Sequence, residues 1–174
     1  MLAVSGRLDR SVPGAHPFPD VQKWGYTIHN PFFAVYDSDH RSLYLMQQRN
    51  RRHPFLALFD AADPNQSVAQ RLPTTTPTQT LYLMNSPFVQ QQAEAFARRL
   101  LAGTGDDSHR VRLAFEMAGG RTATANETSD ALAFLADYRQ KLADLEKPPG
   151  NAAELAWAGL ARVLLTSNAF LYVD

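Results

Sequence analysis

Between residues 76 and 150 the chain carries paired helix-start and helix-stop signals, which constrain its fold more than any other feature. Thr76-Pro77-Thr78-Gln79 has the form of a capping box, with threonine as N-cap, proline at the first helical position and glutamine at the third. Leu81, Tyr82 and Met84 would form the apolar face of that helix. Asn85-Ser86-Pro87 ends it and starts another, with Ser86 as cap. This second helix runs to about Ala102, with Val89, Ala93, Phe96 and Leu100 on one side and Gly103 as its stop. Asp106 or Asp107 caps a third, whose buried stripe is Val111, Ala114, Phe115 and Ala118 before Gly119-Gly120. Thr124-Ala125-Asn126-Glu127 is a second capping box opening the longest helix, with Ala131, Leu135, Tyr138, Leu142 and Leu145 aligned. Lys147-Pro148-Pro149-Gly150 breaks the chain, and Asn151 caps a last helix with Ala156, Leu160, Val163 and Leu164 inward. Residues 170–173 then form an apolar extension. Short connections between amphipathic helices imply a bundle.

The first third reads differently. Residues 7–39 hold Pro13, Pro17, Pro19 and Pro31, with Phe18, Trp24, Tyr26, Phe32, Phe33 and Tyr36 between them. Linkers are poor in aromatics, so this is an irregular segment expected to be held down by aromatic burial and to wrap over the helical part. Were Trp24 and Tyr26 exposed, they could instead stack on sugar rings. Residues 41–47 are the best strand candidate, with Val35-Tyr36 as the partner of a short hairpin. Pro54 starts a short helix from Phe55 to Asp60. Residues 1–6 read as the last turn of a helix that ends at Gly6 in the left-handed conformation, suggesting a chain that begins partway through a larger protein. The expected fold is therefore mainly α: one domain over 1–174, with an irregular wrap over 1–53 and a four- to five-helix bundle over 54–174.

Composition narrows the chemistry. Seventeen basic residues balance seventeen acidic ones, so no global field favours nucleic acid or an anionic membrane. Cysteine is absent, which removes disulfides, thiolate metal sites, a cysteine nucleophile and covalent haem attachment from this chain. No apolar run approaches the ~18–20 residues that span a bilayer.

One stretch concentrates polar chemistry. Arg51, Arg52, His53, Asp60, Asp63 and Asn65 flank the apolar run 55–59, and Arg41 and Arg49 lie just upstream. The guanidinium groups could bind an anionic ligand bidentately, or pair with Asp37, Asp39, Asp60 and Asp63 as a structural clasp. His53 with Asp60 or Asp63 could form a general-base pair, although no serine or cysteine in a glycine-rich elbow accompanies it. Asp60, Asp63 and Asn65 could present oxygens to calcium, but Asp63-Pro64-Asn65 is also a turn sequence. The five histidines include no pair at helical metal spacing. The residues therefore name no catalytic group and no metal ligand.

Several blocks together resemble one family. They are Asn30-Pro31-Phe32, His40-Arg41-Ser42-Leu43-Tyr44-Leu45, the stretch 51–65, Thr75-Thr76-Pro77-Thr78-Gln79, Asn85-Ser86-Pro87-Phe88-Val89 and the closing residues 164–174. In this order they resemble the planctomycete-type C-terminal "PSD-one" domain of unknown function, and this chain resembles its C-terminal part. The resemblance implies a large exported protein, periplasmic or at the cell surface, in which haem belongs to another module and no cofactor to this chain. The implied partners are other domains of the same polypeptide, with a carbohydrate or anionic ligand as a further option. A non-catalytic scaffold or interaction module is the expected function. The alternative is an enzyme or redox-associated domain acting on polysaccharide or a small anion through the arginine, histidine and aspartate cluster.

Overall fold

The structure is a computed structural model, and it describes residues 1–49, 51–67, 69–70 and 74–172. Val173, expected to extend the apolar terminus, lies outside the described residues. The helices among those described are α1 (Leu2–Ser5), α2 (Pro54–Leu58), α3 (Pro77–Asn85), α4 (Pro87–Ala102), α5 (Asp107–Gly119), α6 (Ala125–Ala143), α7 (Ala152–Leu165) and α8 (Asn168–Leu171). The chain is mainly helical, and no sheet forms among the described residues. No helix is long and apolar enough to cross a membrane, again among the described residues. Two compact units form, Met1–Arg7 with Tyr82–Asp174, and Leu8–Leu81.

The first unit is the bundle. Helix α7 is central, packing most extensively on α4 and also on α5 and α6. Trp157, Phe96, Leu135, Leu165 and Val111 are fully buried there. Alanines 93, 97, 156 and 161 share this core and let helix backbones approach closely. Gly159 serves the same end on α6: a Cβ there would sit 3.3 Å from the Phe134 ring and 3.4 Å from Tyr138. Helix α1 is held on α4 by two side chains one heptad apart. Ser5 Oγ donates to the buried Gln92 Oε1 (2.7 Å), and Arg99 Nη1 donates to the carbonyls of Ala3 (3.1 Å) and Val4 (2.8 Å). Gly6 ends α1 at φ 82°.

The capping chemistry is partly realised. Asp106 accepts from the His109 N–H at 2.8 Å. Thr124 and Glu127 form a reciprocal capping box, and Gly120 closes α5 at φ 66°. Ser86 and Asn151 occupy N-cap positions, but neither side chain makes the capping bond. The expected inward faces also shift. Leu81 and Met84 are exposed while Leu83 is buried, in phase with Gln79 one turn earlier. Val163 is exposed because α7 buries the pairs 156/157, 160/161 and 164/165. Leu145 lies beyond the end of α6 and is exposed.

The second unit is Leu8–Leu81. Among its described residues no hydrophobic side chain is fully buried; the buried residues are His53 and Gln79. The expected strand at 41–47 does not form. Ser42–Tyr44 is a 3-10 turn, and strand-like pairing is confined to isolated bridges between Asp9 and His40 and between Gln48 and Arg51. A lone extended segment without a partner leaves its backbone groups unsatisfied, so local turns replace it. The aromatics also depart from expectation: Phe18 is 59% and Trp24 48% exposed, and the rings pack on one another instead of being buried.

Candidate functional site

The polar stretch 51–65 folds around the short helix α2. Arg51 pairs with Gln48 through its backbone N–H (3.3 Å) and lays its guanidinium over the Phe33 ring, 4.2 Å from the centroid. Arg52 Nη2 donates to the Ala61 carbonyl at 2.6 Å, tying the segment before the helix to the segment after it. His53 is the N-cap of α2 in an extended conformation, as a residue before proline should be. It makes no side-chain capping bond, is 8% exposed, and its Nδ1 has no partner among the described residues. Burial holds its imidazole below the usual histidine pKa.

Helix α2 ends where Asp60 takes φ 56°. The last turn of a helix leaves carbonyls without partners. Here the Ala61 N–H donates to the Leu56 carbonyl (2.9 Å), and Gln79 Nε2 donates to that of Leu58 (2.9 Å). The Asp60 carboxylate accepts from the Thr74 N–H (2.7 Å) and hydroxyl (2.9 Å). Asp63 Oδ1 accepts from the Asn65 N–H (2.9 Å) in an Asx turn, and Asn65 Nδ2 donates to the Arg49 carbonyl (2.8 Å).

Among the described residues, the side chains of Arg51 and Arg52 are not engaged with a carboxylate. Arg51 and Arg52 engage a ring face and a main-chain carbonyl. Arg41 is exposed and gives its own carbonyl to the 3-10 turn, accepting from the Tyr44 N–H at 2.9 Å. The proposed His53–carboxylate couple is likewise not assembled, since Asp60 serves Thr74 and Asp63 closes its own turn. No group of three or more potential metal-binding side chains occurs among the described residues. Two clefts are apparent. A shallow depression of about 500 Å³ separates residues 12–16 from 43–47, and a smaller one of about 120 Å³ in the bundle is lined by Phe115, Ala118, Arg121, Leu164 and Phe170. Neither is lined by any residue of 51–65.

Sequence reasoning missed a second constellation. His40 Nε2 lies 3.3 Å from Asp9 Oδ2 and 3.3 Å from Ser11 Oγ, while Ser38 Oγ lies 3.1 Å from its Nδ1. The parts resemble a nucleophile, base and acid, but their arrangement is that of a latch. The carboxylate and Ser11 share one ring nitrogen, Asp9 Oδ1 is taken by the Ser11 N–H (2.8 Å), and Ser38 Oγ accepts from the His40 N–H (3.2 Å). Two local turns are thereby joined across the Asp9–His40 bridge. The sequence signal was the pair of i,i+2 polar spacings, Asp9/Ser11 and Ser38/His40.

No curated protein and no solved structure matches the chain. The model of the PSD1 family, described as a protein of unknown function (DUF1553), matches residues 1–135, which include both constellations but not α7. The chain belongs to the PSD1 family.

Proposed function

We propose that this chain is a non-catalytic interaction module of a larger, exported, planctomycete-type protein, docking against other domains of the same polypeptide. One observation carries this reading: Arg51, Arg52, Asp60, Asp63 and Asn65 engage a ring face, main-chain groups and local turns, and no residue of 51–65 lines either of the two clefts described above. A binding or catalytic pocket needs polar groups that converge on open space. A second support is the outward placement of apolar side chains in residues 8–81, with Val12 77%, Leu43 80% and Ile28 95% exposed. The test is to produce this chain and the remainder of its polypeptide separately and mix them. Co-elution on size exclusion is expected. Separate migration would reject docking, and substrate turnover by this chain that is lost in a folded His53→Ala variant would reject the non-catalytic assignment.

A further inference from the structure

Four rings between residues 18 and 32 form a continuous row. Trp24 lies 5.0 Å from Tyr26, Tyr26 lies 5.5 Å from Phe32, and Phe32 lies 5.1 Å from Phe18, centroid to centroid. The two ends of the row are the exposed rings, Trp24 and Phe18. We infer that this row is a stacking platform for the sugar rings of a neutral polysaccharide. The inference rests on reading the chain as an interaction module, and it names a ligand class for that module.

Three features single out this occupant. First, the Trp24 ring is set in advance: its Nε1–H donates to the Pro19 carbonyl (3.0 Å), and its backbone N–H closes the 3-10 turn Val21–Lys23 on Val21 (3.2 Å). An indole already fixed loses little freedom when a ligand covers it. Second, residues 17–32 contain one acid, Asp20, and one base, Lys23, so the stretch offers no net charge to a polyanion or polycation. Aromatic faces carry negative quadrupole density, which suits the weakly positive C–H face of a pyranose. Third, none of the four rings lines either cleft. Peptide anchors seek concave pockets, whereas an exposed flat ring outside such a pocket suits a flat sugar. Neighbouring rings are inclined to one another by 35°, 50° and 36°. Such a turned row fits a single twisted chain in solution better than the flat face of a crystalline polymer.

Affinity electrophoresis tests this, with hydroxyethylcellulose, xyloglucan or galactomannan cast into native gels and heparin as the charged comparison. The intact chain is expected to be retarded by at least one neutral polymer and not by heparin. Trp24→Ala should weaken retardation roughly ten-fold, Phe18→Ala by a smaller factor, and Trp24→Phe, which keeps a ring, should retain most of it. Trp157 is fully buried, so a ligand-dependent change in tryptophan emission should come from Trp24. Unretarded migration in every neutral gel overturns the inference, as does retardation by heparin alone or retardation that survives both alanine substitutions. Reducing ends are assayed in the same mixtures. Their enzymatic release would count against the non-catalytic reading, whereas absence of retardation alone removes only the sugar platform.

Discussion

The Asp107 carboxylate at the first turn of α5 receives the Arg139 guanidinium of α6 at 2.6 Å. Arg110 approaches its other oxygen at 3.5 Å, and the fully buried Trp157 of α7 turns toward the same group without completing hydrogen-bond geometry. The Arg139 hydrogen bond is the main reason this carboxyl sits below the usual aspartate range. This side chain thus joins α5 to α6, and it also places negative charge at a helix N-terminus. Asp107→Ala should destabilise the bundle by roughly 1–2 kcal/mol, a charge-assisted bond discounted for partial exposure. Arg139→Ala should cost about the same, and the double variant should cost less than the sum. Urea denaturation of the four proteins checks this, and strict additivity would show that the two groups act separately.

At the start of α6, Glu127 accepts from Arg121 Nη2 (2.5 Å) and from the Thr124 N–H (2.9 Å). These bonds, the arginine's first, lower its pKa to about 2. A depressed folded value means the contribution is complete above the unfolded carboxyl pKa, near 4.5, and disappears as pH falls toward 2. Amide exchange in the first turn of α6 should therefore accelerate across that window, and Glu127→Gln should flatten the response. Thr124→Ala should remove about 1 kcal/mol at neutral pH. Exchange in this turn that is the same at pH 5 and pH 2.5, after correction for intrinsic rates, would contradict the assignment.

Local chemistry was legible in the sequence and long-range chemistry was not. The capping residues Thr76, Asp106 and Thr124 and the helix-ending Gly6 and Gly120 act within a few positions of themselves, so spacing alone located them. Ser86 and Asn151 mark helix boundaries in the sequence, but whether a hydroxyl or amide bonds the next turn depends on its rotamer. Val163 lies outside the buried face of α7, which the paired residues 156/157, 160/161 and 164/165 set. At 41–47 a β-rich composition suggested a strand, yet a strand requires an edge to pair with and none is supplied. The polar stretch shows the limit most clearly. Its residues are close in sequence, but their partners, such as Phe33 for Arg51 and Thr74 for Asp60, lie many positions away. The His40–Asp9 latch spans still more chain: the i,i+2 spacings Asp9/Ser11 and Ser38/His40 mark two local turns, but nothing in them says that the two turns meet.

His53 should make the second unit sensitive to mild acid. Burial lowers its pKa, so the folded chain keeps the ring neutral where the unfolded chain, with a value near 6.5, already binds a proton. The sign follows: stability is full above about 6.5 and declines as pH drops below it toward the lower folded value. Amides of α2 should exchange faster at pH 5 than at pH 7.5 after the intrinsic correction. A His53→Leu variant should lose most of that difference, because leucine has no proton to take up. An equal pH response in both proteins would place the sensitivity elsewhere.

The strongest demand on the clasp falls on Gln79. Its side chain is buried and works in both directions: Oε1 accepts from the Thr76 N–H (3.0 Å), and Nε2 donates to the Leu58 carbonyl (2.9 Å) with Asp60 Oδ2 at 3.5 Å. One amide therefore completes the start of α3 and the end of α2. Gln79→Ala should cost about 1–3 kcal/mol, since it strands a carbonyl in a partly dry setting. Gln79→Glu is the sharper probe because it is nearly isosteric. It keeps the acceptor for Thr76 but sets a carboxylate against the Leu58 oxygen and the Asp60 carboxylate, so at pH 7 it should be the more harmful of the two. Protonation restores a donor, so the glutamate variant should recover relative to the alanine variant as pH falls toward 4. Urea midpoints for both variants at pH 7 and pH 4 decide the matter: if glutamate is no worse than alanine at neutral pH, Gln79 is not the donor that joins the two helices.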